Sequence, residues 1–150
     1  MNEIDDIALR RLGDDGQRFT TGRRVLLRLL AESGVPLTIP AILQKRPGLP
    51  QSSLYRNLAV LEAAGLVTKI AMGDDHAHYE LAEELTNHHH HHLVCTECGL
   101  VSDVTLSVSV EAALDAALAQ AAHGVAFELH AHRLDLVGRC SACVAGGATR

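Results

Sequence analysis

All four cysteines of this chain fall in two Cys-x-x-Cys steps, Cys95-Thr96-Glu97-Cys98 and Cys140-Ser141-Ala142-Cys143, and five consecutive histidines, His88 to His92, run up to the first of them. A Cys-x-x-Cys turn sets two thiols on one side of a tight loop. Two such turns brought together supply the four tetrahedral sulfur ligands that a structural zinc ion takes. The fold must therefore close residues 95–98 onto residues 140–143. The histidine run adds imidazole nitrogens, which suit zinc, nickel, copper and ferrous iron.

Other origins of these motifs fit less well. A purification tag sits at a terminus, whereas this run is internal and abuts the apolar Leu93-Val94-Cys95. Disulfides need an oxidising compartment; Met1 to Asp6 is acidic and no apolar stretch follows, so a cytoplasmic location with reduced thiols is expected. A thioredoxin-like redox motif needs one reactive Cys-x-x-Cys opening a helix, not two knuckles beside strand-like segments. The reading from a different class is a zinc-dependent or redox enzyme using the histidines with Glu80 and Glu111. Against it, no nucleophile or base constellation accompanies them.

A chain of 150 residues makes one ordinary domain or two small ones, and with 47% hydrophobic but 3% aromatic residues its core must be built from Leu, Val and Ala. No segment is expected to span a membrane, since Val25-Leu26-Leu27 is broken at once by Arg28. The net charge of −5 is unevenly spread. Residues 1–72 hold 10 Lys/Arg against 7 Asp/Glu, a net +3, and residues 73–150 hold 3 against 11, a net −8. A basic first half beside an acidic second half predicts two domains, of which the first meets phosphate.

Ile4, Ile7, Ala8 and Leu12 recur at helical spacing and stop near Gly13-Asp14-Asp15-Gly16. Thr20-Thr21 precede a second helix carrying Val25, Leu26, Leu29 and Leu30, with Gly34 as its stop. Thr38 can cap a third helix with Ile39, Ile42 and Leu43 inward. After the turn Pro47-Gly48-Leu49-Pro50, Ser52 can cap a fourth, with Leu54, Leu58 and Leu61 inward and Gly65 as its stop. Leu66–Met72 and His76–Leu81 read as strands around the loop Gly73-Asp74-Asp75.

Three helices, a recognition-type helix and a hairpin describe a winged helix-turn-helix. In that geometry the first turn of the recognition helix reaches base edges while flanking basic residues hold phosphates. The candidates here are Ser52, Ser53, Tyr55 and Arg56, with Arg18 and Arg23 as flanking cations. Arg commonly reads guanine, and a Tyr ring can lie against a thymine methyl group.

Several motifs, in order along the chain, resemble one family. Arg18-Phe19-Thr20-Thr21-Gly22-Arg23, Ser53-Leu54-Tyr55-Arg56-Asn57-Leu58, the stretch His89–Cys98 and His132-Arg133-Leu134-Asp135-Leu136-Val137-Gly138-Arg139-Cys140 are similar to the signature segments of the ferric uptake regulator family, most of all its zinc uptake regulator branch. The resemblance implies an α+β protein: a winged-helix DNA-binding domain over 1–84, a hinge over 85–92, and a small α/β metal-binding dimerisation domain over 93–150. Val101–Val104 as strand, Ser107–His123 as a helix ended by Gly124, and Val125–Val137 as strand agree with the last of these.

The resemblance also implies ligand sets. Cys95, Cys98, Cys140 and Cys143 match the family's structural zinc site. His89, His91, Glu111 and His132 match a second site in the dimerisation domain, with His130, two residues before His132, as the rival for the last place. If the histidine run is extended, successive side chains point to opposite faces, so His90 and His92 serve another site, at the hinge. The chain departs from the family there. Pro36-Leu37-Thr38 stands where a histidine is usual, and no fifth cysteine exists. His76, His78 and Glu80, at period two on one strand face, are the candidates that complete this hinge set; His88 has no assigned role. The implied function is a metal-dependent repressor that binds palindromic operator DNA as a homodimer, with zinc the first choice of regulatory metal; iron-, nickel- or peroxide-responsive repression is the nearest alternative.

Overall fold

In the computed structural model, which describes residues 3–70, 77–86 and 89–146, the chain divides into two units, Met1–His88 and His89–Arg150. Leucine spacing organises the first. Helix α1 (Glu3–Asp14) buries Ala8 and Leu12, and α2 (Thr21–Ser33) buries Leu26, Leu27, Leu29 and Leu30. The Thr20 hydroxyl accepts a hydrogen bond from the Arg23 amide at the start of α2, and Gly34, with φ +63°, closes its end in the left-handed region where glycine carries no Cβ penalty. Strand β1 (Leu37–Thr38) leads into α3 (Ile39–Lys45), capped by Thr38 as its sequence predicts.

Helix α4 (Gln51–Ala63) departs from expectation at its first residue. Its N-cap is Pro50, which offers no side-chain acceptor, so Ser52 does not cap the helix and lies exposed in its first turn. Pro50 ends the preceding turn with its ring-fixed φ of −65°, and the helix starts directly after it. Leu54, Leu58 and Leu61 pack inward against Leu12, Leu26, Leu27, Ile42 and Leu66. The approach of α2 to α4 is close enough that a Cβ on Gly22 would meet the Asn57 amide nitrogen at 3.2 Å.

Strands β2 (Val67–Ile70) and β3 (His78–Leu81) form the wing, with β3 central in the order β1-β3-β2 and Lys69 opposite Tyr79. Tyr79 and Leu81 join the core, which turns the alternate residues His78 and Glu80 to the other face. The loop Gly73-Asp74-Asp75 and His76 lie outside the described residues, as does His88. One helical turn, α5 (Glu83–Thr86), follows and was not foreseen. The α3–α4 pair and this hairpin make the unit a winged helix-turn-helix.

The second unit is a three-stranded sheet with one long helix. Strand β4 (His91–Cys95) is central, antiparallel to β5 (Val101–Val104) and parallel to β6 (Asp135–Gly138). Helix α6 (Val108–Gly124) starts on the Ser107 hydroxyl and runs through Gly124 instead of stopping there. Its closure comes two residues later. Phe127 donates to the Ala122 carbonyl at 2.9 Å and Ala126 to that of His123 at 3.1 Å, with Ala126 itself at φ +54°, so an alanine takes the left-handed place usually given to glycine.

The strand expected over Val125–Val137 is reduced to β6. Val125, Phe127 and Leu129 alternate with Glu128, His130 and His132, but a strand exists only with a hydrogen-bonding neighbour, and among the described residues β6 has taken the free edge of β4. A short helix, α7 (Ser141–Gly146), begins inside the second knuckle. No helix among the described residues is long and apolar enough to cross a membrane.

Candidate metal centres and nucleic-acid face

The chain closes its two knuckles on each other as the cysteine spacing demands. Gly99, at φ +71°, lets the first knuckle turn back so that its amide reaches the Cys95 carbonyl at 3.0 Å. The parallel pairing of β4 with β6 ends at Cys95 opposite Gly138, which delivers Cys140 beside Cys95. The result is four free thiols whose sulfurs lie within 4.8 Å of one another, with Cys95–Cys143 at 3.8 Å and Cys98–Cys140 at 3.7 Å. A disulfide needs about 2.05 Å. A tetrahedron of sulfurs bonded to zinc at about 2.3 Å has edges of about 3.8 Å, so the donor geometry fits that ion.

Electrostatics prepare the same site. Amide hydrogen bonds, from Cys98 and then from Cys140 at 3.3 Å, pull the Cys95 thiol down to about 6, against the cost of burial. A thiolate is the form that ligates. Hydrogen bonding to the sulfurs of Cys140 and Cys98 pushes Cys143 up, as one proton must be shared among crowded sulfurs until a cation replaces it. Arg139 clasps the two knuckles together: its guanidinium pairs with both carboxylate oxygens of Glu97 and donates to the Cys143 carbonyl at 2.9 Å.

The histidine run starts β4, and strand alternation sorts it. His89 and His91 meet Glu111, from the first turn of α6, and His132: the Nε2 atoms of all three histidines lie 3.0 to 3.1 Å from a Glu111 oxygen. His91 is 1% exposed. The Glu111 carboxyl is held below its ordinary value, first by its hydrogen bond with His91 and then by the charges of His91, His89 and His132, with burial opposing. Glu111 Oε1 and His132 Nε2 nevertheless make no hydrogen bond of acceptable geometry among the described residues. Lone pairs that converge on one point without addressing each other fit a shared cation. His132, not His130, stands in this cluster; His130 is exposed beside Glu128.

His90 and His92 turn to the other side of β4, where Asp103 joins them with ligand atoms within 4.8 Å. The β4–β5 register explains the third member, since His92 lies directly opposite Asp103 across the antiparallel pair. Sequence reasoning missed Asp103. Its signal was the histidine-to-β5 spacing, which becomes readable only once the register is known. His78 and Glu80, in the first unit, are each 8% exposed, so their strand face is not an ordinary solvated one.

On the first unit, Ser52, Ser53, Tyr55 and Arg56 are all exposed on α4, and Arg18 is exposed before α2. Arg23 is turned inward. It is 8% exposed, and its guanidinium donates to the Arg18 carbonyl at 2.5 Å and to Gln17 Oε1 at 3.2 Å, which makes it a brace for the segment that carries Arg18.

Comparison with known proteins agrees with this architecture. The ferric uptake regulator family model matches residues 14–137. The ferric uptake regulation protein of Bacillus subtilis (strain 168) is 30% identical over 149 residues, covering 95% of each chain. The peroxide operon regulator of the same organism is 29% identical over 140 residues, covering 91% of this chain and 90% of its own. In structure, the Helicobacter pylori ferric uptake regulator, described as having three functional metal-binding sites, superposes with a TM-score of 0.72 at 21% identity over 98% of this chain and 97% of its own. A winged helix, a small α/β domain and three ligand clusters in this order leave one assignment: the chain belongs to the ferric uptake regulator family.

Proposed function

We propose that this protein is a metal-dependent transcriptional repressor that binds palindromic operator DNA as a homodimer in the cytoplasm, and is not an enzyme. The observation that carries the reading is the pair of histidine clusters on opposite faces of one strand, beside a thiolate site of zinc geometry. The thiolate site holds a structural zinc. His89, His91, Glu111 and His132 hold a second divalent ion. His90, His92 and Asp103 belong to the regulatory site, and His76, His78 and Glu80 are the candidates that complete it.

Ligands drawn from both units convert metal binding into a preference for one arrangement of the two recognition helices. Only that difference in affinity can shift the equilibrium. In the bound arrangement Ser52, Ser53, Tyr55 and Arg56 address base edges and Arg18 holds phosphate. Segment 125–133, alternating and without a neighbour among the described strands, pairs with its copy in the partner and buries Val125 and Phe127 there.

Zinc is the first choice of regulatory metal because the protein offers nitrogen and sulfur widely. A second reading has its own support: two histidines with Asp103 are the donor set of ferrous sites, and relatives named for iron and for peroxide match along nearly the whole chain. One experiment separates them. Operator binding is titrated with zinc, ferrous iron, manganese and nickel at fixed free concentrations, and the ferrous protein is then treated with peroxide. Activation by zinc with no oxygen added to His90 or His92 by mass spectrometry supports the zinc reading; activation by iron with such oxidation supports the peroxide reading. Equal operator affinity with and without every metal ends both.

A further inference from the structure

Each histidine cluster contains one imidazole whose far nitrogen is held by an acidic side chain outside the ligand set. His92 Nδ1 lies 3.2 Å from Asp135 Oδ1, and His132 Nδ1 lies 3.2 Å from Asp115 Oδ1. The two aspartates come from different elements. Asp135 opens β6, where the parallel register sets it beside His92, and Asp115 sits one turn after Glu111 on the same face of α6. A carboxylate at Nδ1 fixes the neutral ring as the Nδ1–H tautomer. That leaves Nε2 as the donor, pins the ring plane and raises the basicity of the donor nitrogen.

We infer that Asp135 and Asp115 are positioning residues, one for each histidine site, which set the tautomer and metal affinity of His92 and His132 without touching the ion. The inference rests on the ligand sets proposed above. It goes beyond them in giving each site its own independent control. His92 is almost wholly buried and Asp135 is 39% exposed, whereas Asp115 is 62% exposed, so solvent competes more for the second pair. The effect of Asp135 is the larger of the two.

The test uses the full-length protein with its cysteine-site zinc in place. Competition titrations with a chromophoric zinc chelator give two further binding steps, and His90→Ala and His91→Ala identify which step belongs to which cluster. Asp135→Ala should weaken the step lost in His90→Ala by about 10- to 100-fold and leave the other unchanged. Asp115→Ala should do the converse by a few-fold. Asp135→Asn, whose amide oxygen still accepts from Nδ1–H, should restore most of the affinity.

A second readout does not depend on loading the sites. Nitrogen-15 long-range correlation spectra of protein stripped of its histidine-site metal, at about pH 8 where ordinary histidines are neutral, should show His92 and His132 as Nδ1–H tautomers. Asp135→Ala should shift only His92 towards the Nε2–H form. Unchanged tautomers in the alanine variants, or equal weakening of both steps by either one, overturns the inference. Absence of two histidine-dependent steps in the wild-type protein overturns instead the ligand sets on which it rests.

Discussion

The two units of this chain hold themselves together by different means. In the first, leucines from four helices close around Leu27, Leu58 and Leu61, each 1% exposed or less. In the second, the fully buried hydrophobic residues among those described are Val94, Cys95 and Val101, and no residue of α6 is fully buried. Several apolar side chains of this unit face outward instead: Val108, Val125, Phe127 and Val137 are all more than 60% exposed. The first unit is sustained by removing hydrocarbon from water. On the function proposed above, the second draws its cohesion from ligands around cations and from a surface that a second copy covers, so its folding answers to the zinc of the cysteine site.

The largest test of that contrast removes a thiolate. Cys95→Ser or Cys140→Ser should abolish the tight zinc, a loss on the order of 10 kcal/mol of folding free energy, and should unfold the second unit and dissociate the dimer while the helical signal of the first survives. Metal analysis and sedimentation check it; full zinc and an intact dimer would reject the structural site. Leu58→Ala should act in the reverse sense, costing the first unit about 3 kcal/mol with zinc content unchanged. Concerted melting of both units in that variant would dissolve the contrast.

Phe127→Asp probes the outward apolar face. It should raise the dimer dissociation constant about 100-fold, or about 2.8 kcal/mol, with zinc retained; unchanged sedimentation would remove this face from the interface. On the first unit, Arg56→Ala should cost about 1–3 kcal/mol of operator affinity and relax sequence preference, whereas Arg18→Ala should weaken all sequences alike. Arg23→Ala, by contrast, should lower the melting temperature, since that side chain braces residues 17 and 18 from inside. The smallest effect belongs to Glu97→Gln. Glu97 and Arg139 are both partly exposed, so the clasp between the knuckles contributes no more than about 1 kcal/mol, and the readout is a few-fold faster exchange of zinc.

What the sequence disclosed follows from how local each signal is. Thr20, Thr38 and Gly34 mark helix ends through bonds within a few residues, and all three were legible. Ser52 misled because a good capping side chain matters only if the backbone before it is free to extend, and Pro50 had already fixed the start of α4. The strand expected over Val125–Val137 failed for the opposite reason: alternation reports which faces are apolar, but pairing depends on a neighbour the sequence does not name. Among candidate-site residues, the clustering of the cysteines and the alternation of His89 to His92 are legible from spacing. Asp103, Asp115 and Asp135 were not, because each becomes relevant only through a register or a helix face joining distant segments.

The run of identical residues entering β4 makes its register tolerant of a change in length. Side chains on a strand are sorted by odd and even position, so in most sequences losing one residue would exchange the two faces and scramble both clusters at once. Here the next residue upstream is another histidine. Loss of one histidine from the run draws His88 into the vacated place, and each of the four positions proposed as ligands is refilled with the same chemistry. A chain shortened by one histidine should therefore keep its full metal stoichiometry, and one shortened by two should lose the imidazole at the place of His89.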